Sequence, residues 1–294
     1  MKTARRRIPA GALGMAGALA FALAFALTFT LVSAPASAQL VNPQPTDDPA
    51  AVEVWRKVQA SLFGGRPVLP APPGMLQLDV PLRAIDAAVV PLAIRATLAP
   101  SAPAQISKLY LIIDANPSPI SGIFQVAAQA GQTQIETRVR VDGYSFVRAI
   151  AETTDGKLYG VIRFVKASGG CSAPPSGDMA LAAAMAGRMS LQISGDPAGT
   201  APLVAQLNIS HPNHSGLAMD QLTRQFTPAH YVRKVEVAQG GEILFAADVD
   251  FSMSENPSFR FQFAPRGLGE LQVSMEDSQG RRFAFAQVPT ALPR

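Results

Sequence analysis

The sequence predicts an all-β protein: two antiparallel β-sandwich domains joined by a Gly/Pro-rich linker, with a short N-terminal helix. Three observations carry that reading. From about residue 74 onward, apolar residues recur with period two in short runs. Turn formers punctuate the runs, with 25 Pro and 23 Gly among 294 residues, which disfavours long helices and coiled coils. Hydrophobic residues make up 48% of the chain and charged residues 16%, so a chain long enough for two domains can bury their cores.

Residues 1–38 read as a signal peptide. Lys2, Arg5, Arg6 and Arg7 form a positive start, an apolar run extends from Ala10 to Val32, and Ala36-Ser37-Ala38 supplies the small residues of a cleavage site. The run is also long enough to span a bilayer, so a retained anchor is the competing reading. Arg5-Arg6-Arg7-Ile8 hints at a twin-arginine signal, which Ala4 and Pro9 fit poorly. The segment carries four positive charges and no negative ones, so the +4 of the whole chain becomes 0 without it. No basic patch remains to argue for nucleic acid or an anionic membrane. The expected location is the periplasm, an oxidising compartment.

Residues 39–50 are a polar, Pro-rich lead-in. Asp48 as N-cap and Pro49 at the first position predict a helix over 49–62, with Val52, Trp55, Val58 and Leu62 on one face and Gly64-Gly65 as its stop. A first sandwich is expected over 49–166. Its strand-like runs are Leu76–Val80, 87–96, 106–113, 134–141, 145–152 and 158–166, with Asp155-Gly156 as a hairpin turn. Residues 167–178 have no apolar periodicity and read as a flexible linker carrying Cys171. The Ala- and Met-rich residues 179–189 suggest a short helix. A second sandwich is expected over 190–288. Its runs are Leu191–Ile193, Leu203–Ile209, Val232–Val237, Ile243–Val249, Phe259–Phe263, Leu271–Met275 and Phe283–Phe285, with Gln239-Gly240-Gly241-Glu242 as a hairpin turn.

Cys171 is the only cysteine, which excludes an internal disulfide framework, an Fe–S cluster and a Cys-based zinc site. A free Cys normally serves as a small buried hydrophobe, but the neighbours here, Gly-Gly before and Ser-Ala-Pro-Pro after, offer no apolar face. The sequence therefore predicts a thiol exposed on a flexible arm of Gly169, Gly170 and Ser172, loaded covalently and shown to other proteins. An incidental surface cysteine or an interchain disulfide is the plain alternative. A catalytic cysteine needs a base held in hydrogen-bond reach, which a mobile linker cannot hold.

Other chemistry is sparse. His211-Pro212-Asn213-His214 could bring two imidazoles together, but no carboxylate or thiol completes a metal set at a recognisable spacing, and a strand-end loop explains the motif. There is no nucleophile elbow, Walker loop or dinucleotide fingerprint. Asp114, Asn116 and Pro117 read as a turn after an apolar strand, with a polar role near the linker as the sharper option. Arg138, Arg140 and Arg148 read as a solvated sheet face, with an oxyanion-holding role as the sharper option. No catalytic site, cofactor or metal is expected.

The N-terminal half resembles the SoxY family of sulfur-oxidation proteins. Trp55, Leu62-Phe63-Gly64, Leu78-Asp79-Val80-Pro81, Ala84–Pro91, Ile113–Pro117 and Gly169-Gly170-Cys171 carry the resemblance. The C-terminal half resembles the SoxZ family through His211-Pro212, Pro228-Ala229-His230 and the Phe259–Phe263 run. The resemblance implies immunoglobulin-like sandwiches and a swinging-arm cysteine, matched here by Cys171, that carries thiosulfate-derived sulfur between periplasmic sulfur-oxidation enzymes. Two features depart from the family: the halves are fused, and Ser172-Ala173-Pro174-Pro175 continue the chain where the family arm ends. That layout resembles fused carriers associated with quinoprotein dehydrogenases. A second reading is thus an accessory docking module for a periplasmic quinoprotein dehydrogenase or cytochrome c, without covalent cargo. An envelope structural protein is a third.

Overall fold

The computed structural model describes residues 44, 46–99, 101–127, 132–196, 199–220, 223–264, 267 and 269–289. The signal peptide expected over 1–38 lies outside them. Among the described residues no helix is long and apolar enough to cross a membrane.

Helix α1 (Glu53–Phe63) starts later than the Asp48-Pro49 signal suggests. The Asp48 side chain accepts from the Ala50 N–H and its carbonyl from the Ala51 N–H, closing a separate turn. Extended Val52 then precedes the first helical residue, and Gly64 ends the helix at φ 59° in the left-handed region. The helix seats Trp55, Val58 and Phe63 on Tyr110, Ile112, Ile150 and Leu158.

Among the described residues fifteen strands follow: β1 (Val68–Pro70), β2 (Leu76–Asp79), β3 (Val90–Thr97), β4 (Ile106–Ile113), β5 (Ile120–Val126), β6 (Gln132–Val139), β7 (Ser145–Thr153), β8 (Leu158–Val165), β9 (Met189–Ser194), β10 (Leu203–Ile209), β11 (Val232–Gln239), β12 (Glu242–Val249), β13 (Ser258–Phe263), β14 (Leu271–Asp277) and β15 (Arg282–Gln287). Helix α2 (Met179–Met185) precedes β9, with the Asp178 carboxylate accepting from the Ala180 and Leu181 N–H groups. The expected runs all appear. β1 and β5 are additions: β1 is very short, and β5 carries Gly122 mid-strand, where a Cβ would meet the Phe124 ring at 2.7 Å. Gly240 and Gly241 alone link β11 to β12, both at positive φ (59° and 83°), as a type I′ turn requires.

The two halves are sandwiches whose sheets run on into one another. The larger sheet has the order β1-β8-β7-β4-β5-β12-β11-β14-β15, the smaller β2-β3-β6-β13-β10-β9. The junction lies at β5–β12, with five antiparallel pairs from Val126↔Phe245 to Gly122↔Val249, and at β6–β13, with Glu136↔Arg260 and Ile135↔Phe261. Each half thereby closes an edge the other would leave open. The core follows suit: Phe124 of the first half lies 6.3 Å from Phe245 and 6.4 Å from Phe259 of the second, and Phe245 stacks on Phe261 at 4.3 Å.

Candidate functional site

β8 ends at Val165, and the chain crosses the junction between the halves before reaching α2. Lys166 donates its N–H to the Leu82 carbonyl, and the Ala84 N–H donates to the Lys166 carbonyl. Gly169 then turns at φ 72°. Its N–H donates to the Asp142 carbonyl (2.7 Å), and the Gly170 N–H to the Val141 carbonyl (3.2 Å). The Cys171 N–H donates to Asp142 Oδ1 (3.0 Å). From the second half, Ser215 Oγ donates to the Cys171 carbonyl. Arg140 Nη1 donates to the Gly170 carbonyl (3.3 Å) and Nη2 to the Asn213 carbonyl (3.3 Å).

The exposed thiol expected from the sequence is therefore not what the fold presents. Cys171 is 0% exposed, and Gly169-Gly170 form a seated strap. At Gly170 a Cβ would lie 2.1 Å from the Ala87 carbonyl oxygen and 2.6 Å from that of Val141, so only glycine passes. The adjacent residues supply no apolar face, as the sequence indicates; the seat comes from distant backbone and polar groups. The chain reaches the surface again at once: Ser172, Pro174 and 176–178 are exposed. Ser176 is tied through its N–H and Oγ to Glu255. A cavity of about 450 Å³ lies beside this exit, lined by Asp86, Arg138, Arg140, Ala173, Pro174 and Glu255 among others.

Burial, with Asp142 adding to it and Arg140 opposing, pushes the Cys171 thiol up to about 12. In its seat the group is a neutral thiol. Since the thiolate is the nucleophile, the seated sulfur is inert. Arg140 is itself buried and its Nε lacks a hydrogen-bond partner. The expectation of a solvated arginine face thus fails for Arg140 and for Arg148. Arg148 is 2% exposed, holds Asp114 through Nε (2.9 Å) and Nη2 (2.5 Å), and lies 4.3 Å over the Trp55 ring. That pair anchors α1; burial raises the Asp114 carboxyl even against Arg148.

Asn116 is more than a turn residue. Its Nδ2 donates to the Arg140 carbonyl (2.9 Å) and to Ser252 Oγ (3.1 Å), and its Oδ1 accepts from the Asp142 N–H (3.0 Å). It joins the two halves directly beneath the strap. Asn213 answers from the other side: Nδ2 donates to the Met253 carbonyl (2.7 Å), and Oδ1 accepts from the Val232 N–H (2.9 Å). Asp142 and Ser215 carry no sequence motif, and Asn213 stands in the sequence only as a spacer between His211 and His214; the fold alone gives the three their roles.

The histidines assemble otherwise than the His211/His214 spacing suggests. His211 meets His230, with the two Nε2 atoms 3.2 Å apart, and Asp277 Oδ2 lies 2.9 Å from His230 Nε2. Asp277, on β14, is the carboxylate that local spacing could not supply. The ligand atoms of the three fall within 4.8 Å, yet they do not fit a metal. His211 Nδ1 accepts from the Asn213 N–H (3.0 Å), so the neutral ring carries its proton on Nε2, the atom a metal would need. Arg281 further occupies the space, with Nη2 2.6 Å from His230 Nε2 and Nε donating to Asp277 Oδ2 (2.8 Å). Burial, then the neighbouring His230, bring His211 down to about 4. Burial alone would raise the Asp277 carboxyl, but hydrogen bonds from His230 and Arg281 outweigh it and hold the group far below the usual range.

Residues 59–171 match the family described as sulfur oxidation protein SoxY, and residues 182–287 match that described as sulphur oxidation protein SoxZ. Among solved structures, the sulfur carrier protein SoxY from Chlorobium limicola f thiosulfatophilum is 21% identical over 38% of this chain and 89% of its own, with a TM-score of 0.31. A beta-glycosidase from Bacteroides vulgatus is 8% identical over 73% of this chain and 24% of its own, at 0.23. A search of curated proteins gives no match. With a SoxY domain followed in one polypeptide by a SoxZ domain, the chain belongs to the sulfur-oxidation proteins as a fused SoxYZ-like protein.

Proposed function

We propose that this protein is an exported, periplasmic carrier that binds a sulfur intermediate covalently on Cys171 and passes it between redox enzymes of sulfur oxidation. One observation carries this: the SoxY match ends on Cys171, the only thiol in the chain. Joining that sulfur to a reduced sulfur anion such as thiosulfate releases the thiol proton and two electrons, and a partner redox enzyme accepts the electrons. The seated thiol is covered and protonated, so loading requires the strap to leave its seat. The seat suits reversal, because hydrogen bonds hold it, each contributing about 1 kcal/mol net.

The burial of Cys171 favours a second reading, an accessory docking module for a periplasmic quinoprotein dehydrogenase or cytochrome with the cysteine filling space. Intact-mass analysis of protein isolated from its native source separates the two. The carrier shows added mass on Cys171 that reductant removes, and Cys171→Ser abolishes growth on the reduced sulfur compound. A uniform free thiol, with Cys171→Ser fully active, establishes the docking module instead.

A further inference from the structure

The two sheets leave four edges among the described residues: β1 and β15 in the larger, β2 and β9 in the smaller. β1 has three residues and ends in Pro70; β2 has four and ends in Asp79, shortly before Pro81. Short length, proline and charge are how proteins blunt an edge. β15 has none of these devices along its middle. Its six residues pair with β14 without a bulge. Among the described residues its backbone bonds run only to that strand. Phe283 and Phe285 are only half-buried, and Ala284 and Ala286 are exposed.

A second feature marks the same edge. Helix α2 reads Met-Ala-Leu-Ala-Ala-Ala-Met and buries no residue; Met179 is 49% and Leu181 62% exposed. A helix apolar on every side ordinarily lies inside a structure. It leads directly into Gly187, where a Cβ would lie 2.2 Å from the Phe283 ring, so the chain leaving α2 packs against β15. Val288, just past the strand, is 51% exposed.

We propose that β15 pairs antiparallel with β15 of a second copy of this chain, joining two larger sheets across a two-fold axis at Ala284. An axis normal to the sheet keeps inner faces inner, so only registers that match residues of the same face are allowed. With the axis at Ala284, Phe283 of each copy meets Phe285 of the other, giving two cross-strand aromatic pairs on the core face. Ala284 meets Ala284 on the outer face, where a small side chain permits close approach. Arg282, held by Glu276 through its Nε at 2.8 Å, falls opposite Ala286, so no like charges meet. Moving the axis to Phe285 would instead set Phe283 against Gln287. This pairing is independent of the sulfur chemistry.

The test is sedimentation of the purified protein and of Ala284→Lys and Ala284→Glu. Ala284 is exposed, so circular dichroism of both variants should match the parent. The parent should sediment at twice the chain mass. Each variant should sediment at half the parent value, because like charges then face each other at the axis, and a one-to-one mixture of the two should recover the dimer. A parent that stays monomeric at every concentration, including one whose edge pairs only with a different protein, overturns the proposal. So does a dimer that survives in both variants.

Discussion

Gly170 decides whether the thiol is hidden. Its backbone passes so close to the Ala87 and Val141 carbonyls that a methyl group has no room. Forcing extra atoms into a packed site costs about 1–3 kcal/mol, comparable to several of the bonds seating the strap. Gly170→Ala should therefore unseat Cys171 while leaving the sheets intact. The parent thiol should resist a maleimide at neutral pH, and the variant thiol should react within the same period; equal reactivity would show that the Gly170 fit does not hold the strap. The pH sign follows from the thiol. Its seated value, raised to about 12 from the ordinary 9.0, means the seat is fully stabilised below about 9 and loses that stabilisation as pH rises toward 12. Parent reactivity should climb in that alkaline window.

At the scale of elements, the loop over residues 211–215 ties the strap to β11 and β14. His211, lowered to about 4 by burial first and His230 second, is neutral in the fold and charged in the unfolded chain between its two values. Its contribution is present above about pH 6.5 and lost as pH falls toward 4, amounting to about 2–3 kcal/mol. His211→Asn can still accept from the Asn213 N–H, and it should flatten the fall in urea midpoint between pH 7 and pH 4.5. An unchanged slope would place the acid sensitivity elsewhere. The strands themselves were legible because alternation is a local property; β4 and β10 coincide with their expected runs. β1 was too short to alternate, and β5 follows a Pro-rich break with Gly122 inside it. Cys171 stands out in the sequence as the lone thiol, but its surroundings were not legible. Its hydrogen-bond partners Asp142 and Ser215 lie 29 and 44 residues away, so reading its neighbours as unable to bury it missed where the seat originates. The same distance hid Asp277 from His211 and His230.

Across the whole molecule, the shared sheets predict one cooperative unfolding transition. Trp55 is the only tryptophan and reports on the first half, whereas Phe261, 1% exposed and stacked on Phe245, lies in the second. Phe261→Ala should cost about 3–5 kcal/mol and shift Trp55 fluorescence and far-ultraviolet circular dichroism together. A Trp55 transition left in place would mean that the halves unfold separately. The chain path past the strap has a further consequence for any enzyme that meets the sulfur. Cys171 lies six residues beyond Val165, the end of β8, and eight before Met179, the start of α2. Fully stretched, the shorter span covers about 20 Å, and the longer one restrains it like a second leash. A visiting active centre must lie shallow and open sideways, wide enough to admit a bight of chain where a loose end could have threaded a narrow bore.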